Sequence, residues 1–172
     1  TPWAVGAPSS WTQAIVSVGG GTCTGTVVQP SWVLTARHCG IKAGAKVTSI
    51  RPTGNVERTV DVAVPNPDVD FLMLHLSTPF TDVPQVALYS GTTASIVGKT
   101  LNCYGYGAKA AGASCTTNAD CAAGSYCNTD GKICLTPSTE LRTANLQASA
   151  LTAEMFRVNK NASNQVLLPG DS

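Results

Sequence analysis

Trp32-Val33-Leu34-Thr35-Ala36-Arg37-His38-Cys39 begins as an apolar strand and ends in reactive side chains. Four residues of strand character lead to a place where the chain must turn. There a histidine stands beside a cysteine able to pin the backbone. The chain has two histidines, His38 and His75, so any acid–base or nucleophilic chemistry through imidazole narrows to two positions. His75 lies in Leu74-His75-Leu76, alternating with apolar neighbours, and reads as a residue pointing out of a half-buried strand. His38, at a strand end, is the one placed to act.

Outward from this stretch, short β-branched or alternating runs recur at 12–18, 24–29, 32–35, 46–51, 57–64 and 71–76. Gly, Pro and Asn clusters separate them at spacings typical of sandwiches and barrels. No segment keeps a helical period over the dozen or so residues a helix requires. Residues 78–88, with Pro79 and Pro84, form a low-charge connector, which predicts two lobes, 1–83 and 84–172. Strand-like sequence resumes at 95–103 and 140–147, and between these lies an insertion of about 108–137. The expectation is an all-β chain of two lobes, with a disulfide-stapled loop in the second.

Composition agrees and excludes several classes. Charged residues make up 12% of 172, about half the usual quarter, and no charge block or low-apolar tract marks disorder. The longest apolar stretches, such as Phe71-Leu72-Met73-Leu74, are far shorter than the roughly 20 residues of a membrane span. Eleven basic against ten acidic side chains leave +1, without the basic stripe that nucleic-acid binding needs. No membrane or nucleic-acid partner is therefore expected.

Seven cysteines are present: Cys23, Cys39, Cys103, Cys115, Cys121, Cys127 and Cys134. The last four are spaced C-x5-C-x5-C-x6-C among small and polar residues. That spacing lacks the C-x2-C pairs of metal frameworks, so two disulfides in one of three pairings are expected, with no metal. Asp120, Asn128 and Asp130-Gly131 lack EF-hand spacing, and turn chemistry accounts for them without calcium. Disulfides imply an oxidising compartment. Together with a start at Thr1 and no leader, they set the expectation of a secreted protein. Asn161-Ala162-Ser163 is a glycosylation sequon.

An orienting carboxylate for His38 has to be buried and rigid. Asp70 fits, because it opens the otherwise apolar strand Asp70-Phe71-Leu72-Met73-Leu74-His75-Leu76, whereas Asp68 in the preceding Pro-rich turn reads as solvated. At the other end of the sequence stands Gly170-Asp171-Ser172, where glycine permits the backbone an exposed nucleophile needs and neighbouring N–H groups can cradle an oxyanion.

Each of these signals is weak alone. The order His, Asp, Ser, each in its own string, resembles the chymotrypsin/trypsin-like family of serine endopeptidases. Leu34 to Cys39 is similar to the family's base motif, and Cys23, ahead of Gly25-Thr26-Val27-Val28, to the cysteine bridging to the one after that histidine. Asp70 matches the orienting aspartate. Cys103-Tyr104-Gly105-Tyr106-Gly107 resembles the family's Cys…Gly-Trp-Gly segment with Tyr for Trp. Leu141 to Gln147 resembles the strand after the autolysis loop, and Gly170-Asp171-Ser172 the start of the nucleophile motif. The likeness covers nearly the whole chain except about 108–137, which is similar to small Dickkopf-type cysteine-rich segments.

The resemblance implies two six-stranded antiparallel β-barrels of chymotrypsin-like fold, the second incomplete in this chain. It implies Ser172 as nucleophile, His38 as base, Asp70 as orienting carboxylate and the N–H groups of Gly170 and Ser172 as oxyanion hole. Asp171 would accept an ion pair from the α-ammonium that zymogen cleavage exposes, and Thr1 stands at about the right distance. Val166 occupies the position where trypsin-type enzymes carry Asp, which implies an apolar or small residue on the acyl side of the cut. A C-terminal companion segment is expected to complete the second barrel, disulfide-linked through Cys103. Arg37 replaces the family's usual small residue and reads as solvated, the alternative being a contact to the substrate's leaving side. The expected function is a secreted serine endopeptidase acting on polypeptides without a cofactor. The alternative is a catalytically inactive protease homologue that binds a partner. A carboxylic-ester hydrolase is excluded by the missing Gly-x-Ser-x-Gly elbow and the triad order.

Overall fold

The computed structural model describes residues 4–5, 11–128, 132–138, 140–151 and 156–159. A two-residue strand, β1 (Ala4–Val5), precedes six strands: β2 (Ile15–Val18), β3 (Cys23–Gln29), β4 (Trp32–Thr35), β5 (Lys46–Ser49), β6 (Val56–Pro65) and β7 (Leu72–Leu76). These six close into an antiparallel barrel in the order β2-β3-β4-β7-β6-β5. Alternation explains which way each strand faces. In β7, Leu72, Leu74 and Leu76 point inward and are buried, while Met73 and His75 face out. With Val16, Val18, Val27, Val33, Val47, Val60 and Phe80 they make one core. At Gly25 in β3 a Cβ would come within 2.6 Å of Val33 Cγ1 and 2.9 Å of Val18 Cγ2, so only glycine fits the barrel interior there.

One strand breaks its own alternation. Between Val60 and Val62 the β6–β7 pairing slips, with Val60 opposite Leu76 and Val62 opposite His75. Asp61 is the extra residue of this β-bulge. Beyond it the inward face switches: Ala63 packs on the core, whereas Val62 and Val64 are exposed.

A second sheet is built on β12 (Arg142–Ala150), which follows a single helical turn α1 (Thr93–Ile96), β8 (Thr100–Gly105), and the strands β9 (Lys109–Ser114), β10 (Tyr126–Asn128) and β11 (Ile133–Thr136) of the insertion. Its last described strand is β13 (Phe156–Asn159). β8 pairs with Arg142 through Gln147 along one edge of β12, so β1 (at 142–143) and β13 (at 147–150) share the other. Among the described residues this sheet stays open. Beside the closed six-stranded barrel this second sheet has four strands, and the architecture is all-β, as expected.

Two stretches of expected strand are helical turns. Residues 12–14 belong to a 3-10 turn, Trp11–Ala14, that tucks Thr12 and Ala14 inside. Ser95 and Ile96 belong to α1, where the Ser95 hydroxyl and N–H both donate to Thr92 O, the hydroxyl at 2.6 Å. Such local side-chain bonds compete with strand pairing despite the β-branched neighbours.

The insertion is more than a stapled loop. Its three strands order β10-β11-β9, crossed by Cys115–Cys127 and Cys121–Cys134, one of the three open pairings. Leu135 and Cys134 are buried in it. Asp120 accepts from the N–H groups of Thr116 and Thr117 at 2.7 and 2.9 Å, which holds its carboxyl below the usual range and commits it to the turn. Tyr106, just past β8, ties that strand to the barrel: its N–H donates to Thr24 Oγ1 at 2.8 Å and its hydroxyl to Ile15 O at 3.2 Å. Burial pushes that phenol up to about 12.

Candidate active site

Strand register brings His38 and Asp70 together. β4 and β7 run antiparallel with Thr35 opposite Leu72. The chain leaving β4 therefore emerges beside the chain entering β7. His38 is three residues past Thr35, and Asp70 is two before Leu72. In a single 3-10 turn, Arg37–Cys39, His38 is presented at the barrel's end, and Gly40, at φ 63°, closes it with its N–H on Arg37 O at 3.0 Å. Cys39 is bridged to Cys23 at the start of β3. Buried Thr35 donates its hydroxyl to Thr24 O at 2.8 Å, a second tie between the same strands.

The Asp70 carboxylate receives His38 twice: the backbone N–H at 2.9 Å from Oδ1 and ring Nδ1 at 2.6 Å from Oδ2. The ring bond, then the backbone bond, hold this carboxyl below the ordinary carboxylate range, with smaller help from the charges of His38 and Arg37. An ionised carboxylate only accepts, so Nδ1 donates to it, and in the neutral form of the ring Nε2 carries the lone pair. The His38 side chain is 63% exposed. The expected burial of Asp70 is not found: its side chain is 53% exposed, at the barrel's end just before β7. Its rigidity comes from hydrogen bonds instead. Asp68 keeps its side chain in solvent and gives its N–H to Asn66 Oδ1.

Ser172, Gly170, Asp171, Val166 and Thr1 lie outside the described residues, as does the sequon Asn161-Ala162-Ser163. Cys103 belongs to none of the three disulfides and sits half-buried on β8 against Ala144 and Leu146. The sulfurs of Cys115, Cys121 and Cys134 lie within 4.8 Å of one another, but disulfides use them all.

The sequence around His75 names no partner for it. Its Nδ1 lies 2.6 Å from Oδ1 of the bulged Asp61, and its ring meets Trp32 edge-on at 4.8 Å. The only signal in the sequence is a carboxylate between Val60 and Val62, which by itself reads as an outward strand residue. Trp32 also lines an apolar groove of about 570 Å³ on the outer wall, with Val28, Val64, Met73, Val86 and Leu88. Arg37 is exposed, as expected, and its guanidinium also bonds two carbonyl oxygens of the Asp70 turn.

A model of the family described as Trypsin matches residues 5–164, a span that includes His38 and Asp70. No curated protein matches the chain.

Proposed function

Because the chain belongs to the trypsin family, we propose that this trypsin-like serine protease is a secreted endopeptidase that cleaves polypeptides through an acyl-enzyme. The observation that carries the reading is the His38–Asp70 pair: Nδ1 held on a carboxylate, with Nε2 exposed at the barrel's end. Ser172 Oγ attacks the scissile carbonyl while His38 Nε2 takes its proton, and the imidazolium gains stabilisation from Asp70. That proton then passes to the leaving amine as the C–N bond breaks. Water then attacks the acyl carbonyl while giving a proton to the same nitrogen, and as the C–Oγ bond breaks His38 returns that proton to Ser172 Oγ. The N–H groups of Gly170 and Ser172 stabilise the oxyanion, by roughly 3 kcal/mol each. No cofactor enters.

Asp171 accepts the α-ammonium freed by zymogen cleavage and so orders the oxyanion loop. Val166 lines the pocket for the acyl-side residue, giving it a preference for apolar or small side chains. A C-terminal companion segment pairs with the open edge of the four-stranded sheet and bridges to Cys103, whose place on β8 supports that reading. Three disulfides fit an oxidising, extracellular setting, and no described helix is long and apolar enough to cross a membrane.

The test is the mass of the protein, reduced and non-reduced, after treatment with a fluorophosphonate. An adduct on the species containing Ser172, absent in His38→Ala, supports the endopeptidase. A companion released only on reduction supports the Cys103 bridge. An unlabelled wild-type chain overturns the enzyme reading in favour of a binding homologue.

A further inference from the structure

Residues 66–71 belong to no strand, since β6 ends at Pro65 and β7 starts at Leu72. No sheet ladder therefore fixes Asp70, and with its side chain half exposed, burial does not fix it either. Two sets of bonds do. Within the turn, Asn66 Oδ1 accepts the N–H groups of Asp68 and Val69 at 2.9 and 3.1 Å, and Asn66 N–H donates to Phe71 O at 3.0 Å. From outside it, Arg37 Nη1 donates to Asn66 O at 2.8 Å and to Pro67 O at 2.9 Å. Arg37 is the residue immediately before His38. The guanidinium is thus a strap between the turn that carries the imidazole and the turn that carries the carboxylate.

From this geometry we infer that Arg37 is a positioning residue for the His38–Asp70 pair, and the inference rests on that pair being the catalytic base and its partner. Two carbonyl dipoles converging on one cationic nitrogen make charge-assisted bonds, stronger than neutral ones. They draw the 66–70 turn onto the 37–39 turn. With the turn held there, one carboxylate reaches both the His38 backbone N–H and Nδ1 without a search at each turnover. Arg37 stays exposed, as its solvated reading has it, and the two carbonyl bonds come in addition. The strap commits Nη1 away from substrate.

The test compares wild type with Arg37→Met, which keeps an unbranched stem without charge or donors, and Arg37→Lys, which restores a cation with donors. Two readouts are needed on the full chain: exchange of the His38 Nδ1–H proton with water by NMR, and kcat and KM on a peptide ester. Arg37→Met is expected to speed proton exchange and lower kcat, each about tenfold, with KM unchanged; Arg37→Lys recovers most of both. Exchange and kcat that stay at wild-type values in Arg37→Met overturn the inference. A rise in KM alone also overturns it and assigns Arg37 to substrate contact. If no variant, nor wild type, has activity but Arg37→Met still speeds exchange, the strap stands and the endopeptidase reading falls.

Discussion

Two histidine–aspartate pairs occupy this barrel with the same heavy-atom separation, 2.6 Å from Nδ1 to a carboxylate oxygen, in unlike surroundings. His75 and Asp61 lie within the wall, on paired strands, and a bulge turns the carboxylate toward the ring. Trp32 packs on the His75 ring, and that side chain is 34% exposed. His38 and Asp70 lie where two strands have just ended. There the carboxylate also takes a backbone N–H, a disulfide anchors the next residue, and an arginine straps the two turns together. A hydrogen-bonded His–Asp pair thus forms in this barrel in two unlike settings. What distinguishes a site is placement at a sheet's end, where loops leave Nε2 open and backbone groups are free to orient it.

The comparison breaks most sharply in activity. His38→Ala and Asp70→Asn should each lower kcat by about 10⁴-fold or more, the scale on which triad members act in this family. His75→Gln and Asp61→Asn should leave kcat within about twofold of wild type on the same peptide ester. Equal losses at both pairs would show that the barrel-wall pair takes part in the chemistry.

Next in size is stability along β7. Leu74 and His75 are neighbours on opposite faces, one fully buried and one not. Leu74→Ala should cost about 2–5 kcal/mol in urea unfolding, whereas His75→Gln should change it by less than about 1 kcal/mol. Removing the Cys23–Cys39 bridge by a double Ser substitution opens a loop of sequence separation 16. The expected cost is about 3 kcal/mol. NMR of that variant should broaden the His38 ring signals and leave those of His75 sharp, since only His38 adjoins the bridge.

The smallest effect is in acid. Both carboxyls are held below the ordinary range, Asp61 chiefly by the His75 ring and Asp70 by the His38 ring and then its backbone N–H. A depressed carboxyl contributes stability that is complete above its unfolded pKa and disappears as pH falls through the native value. Both pairs should thus survive mild acidification and be lost only below the usual carboxylate range. Carboxyl-carbon titration by NMR separates them. His75→Gln should return Asp61 most of the way toward its ordinary value, but His38→Gln should leave Asp70 partly depressed, because residue 38 still donates its backbone N–H.

Much of the barrel was legible because period-two alternation and strand-ending turn residues are local properties of the chain. The runs at 24–29, 32–35 and 71–76 coincide closely with β3, β4 and β7. His38 and Asp70 were legible through the strings that surround them, and lie in contact as those strings imply. Asp61 was not, since a bulge is a relation between two strands and leaves no mark on either alone. Nor was the work of Arg37, which bonds main-chain oxygens about 30 residues away that any side chain there would present. The insertion's own sheet and its choice among three disulfide pairings were equally hidden, because equivalent cysteine spacings carry no pairing information.

By itself, then, the sequence determined an all-β chain and the string in which each candidate side chain stands. Tertiary structure alone decided which residues meet: the register that sets Thr35 against Leu72, the bulge that turns Asp61 to His75, and the strap from Arg37 to the Asp70 turn. The physical reason is range. Alternation and turn propensity act over a few bonds, whereas register, bulges and long-range hydrogen bonds depend on which distant segment fills the neighbouring space once the core has closed.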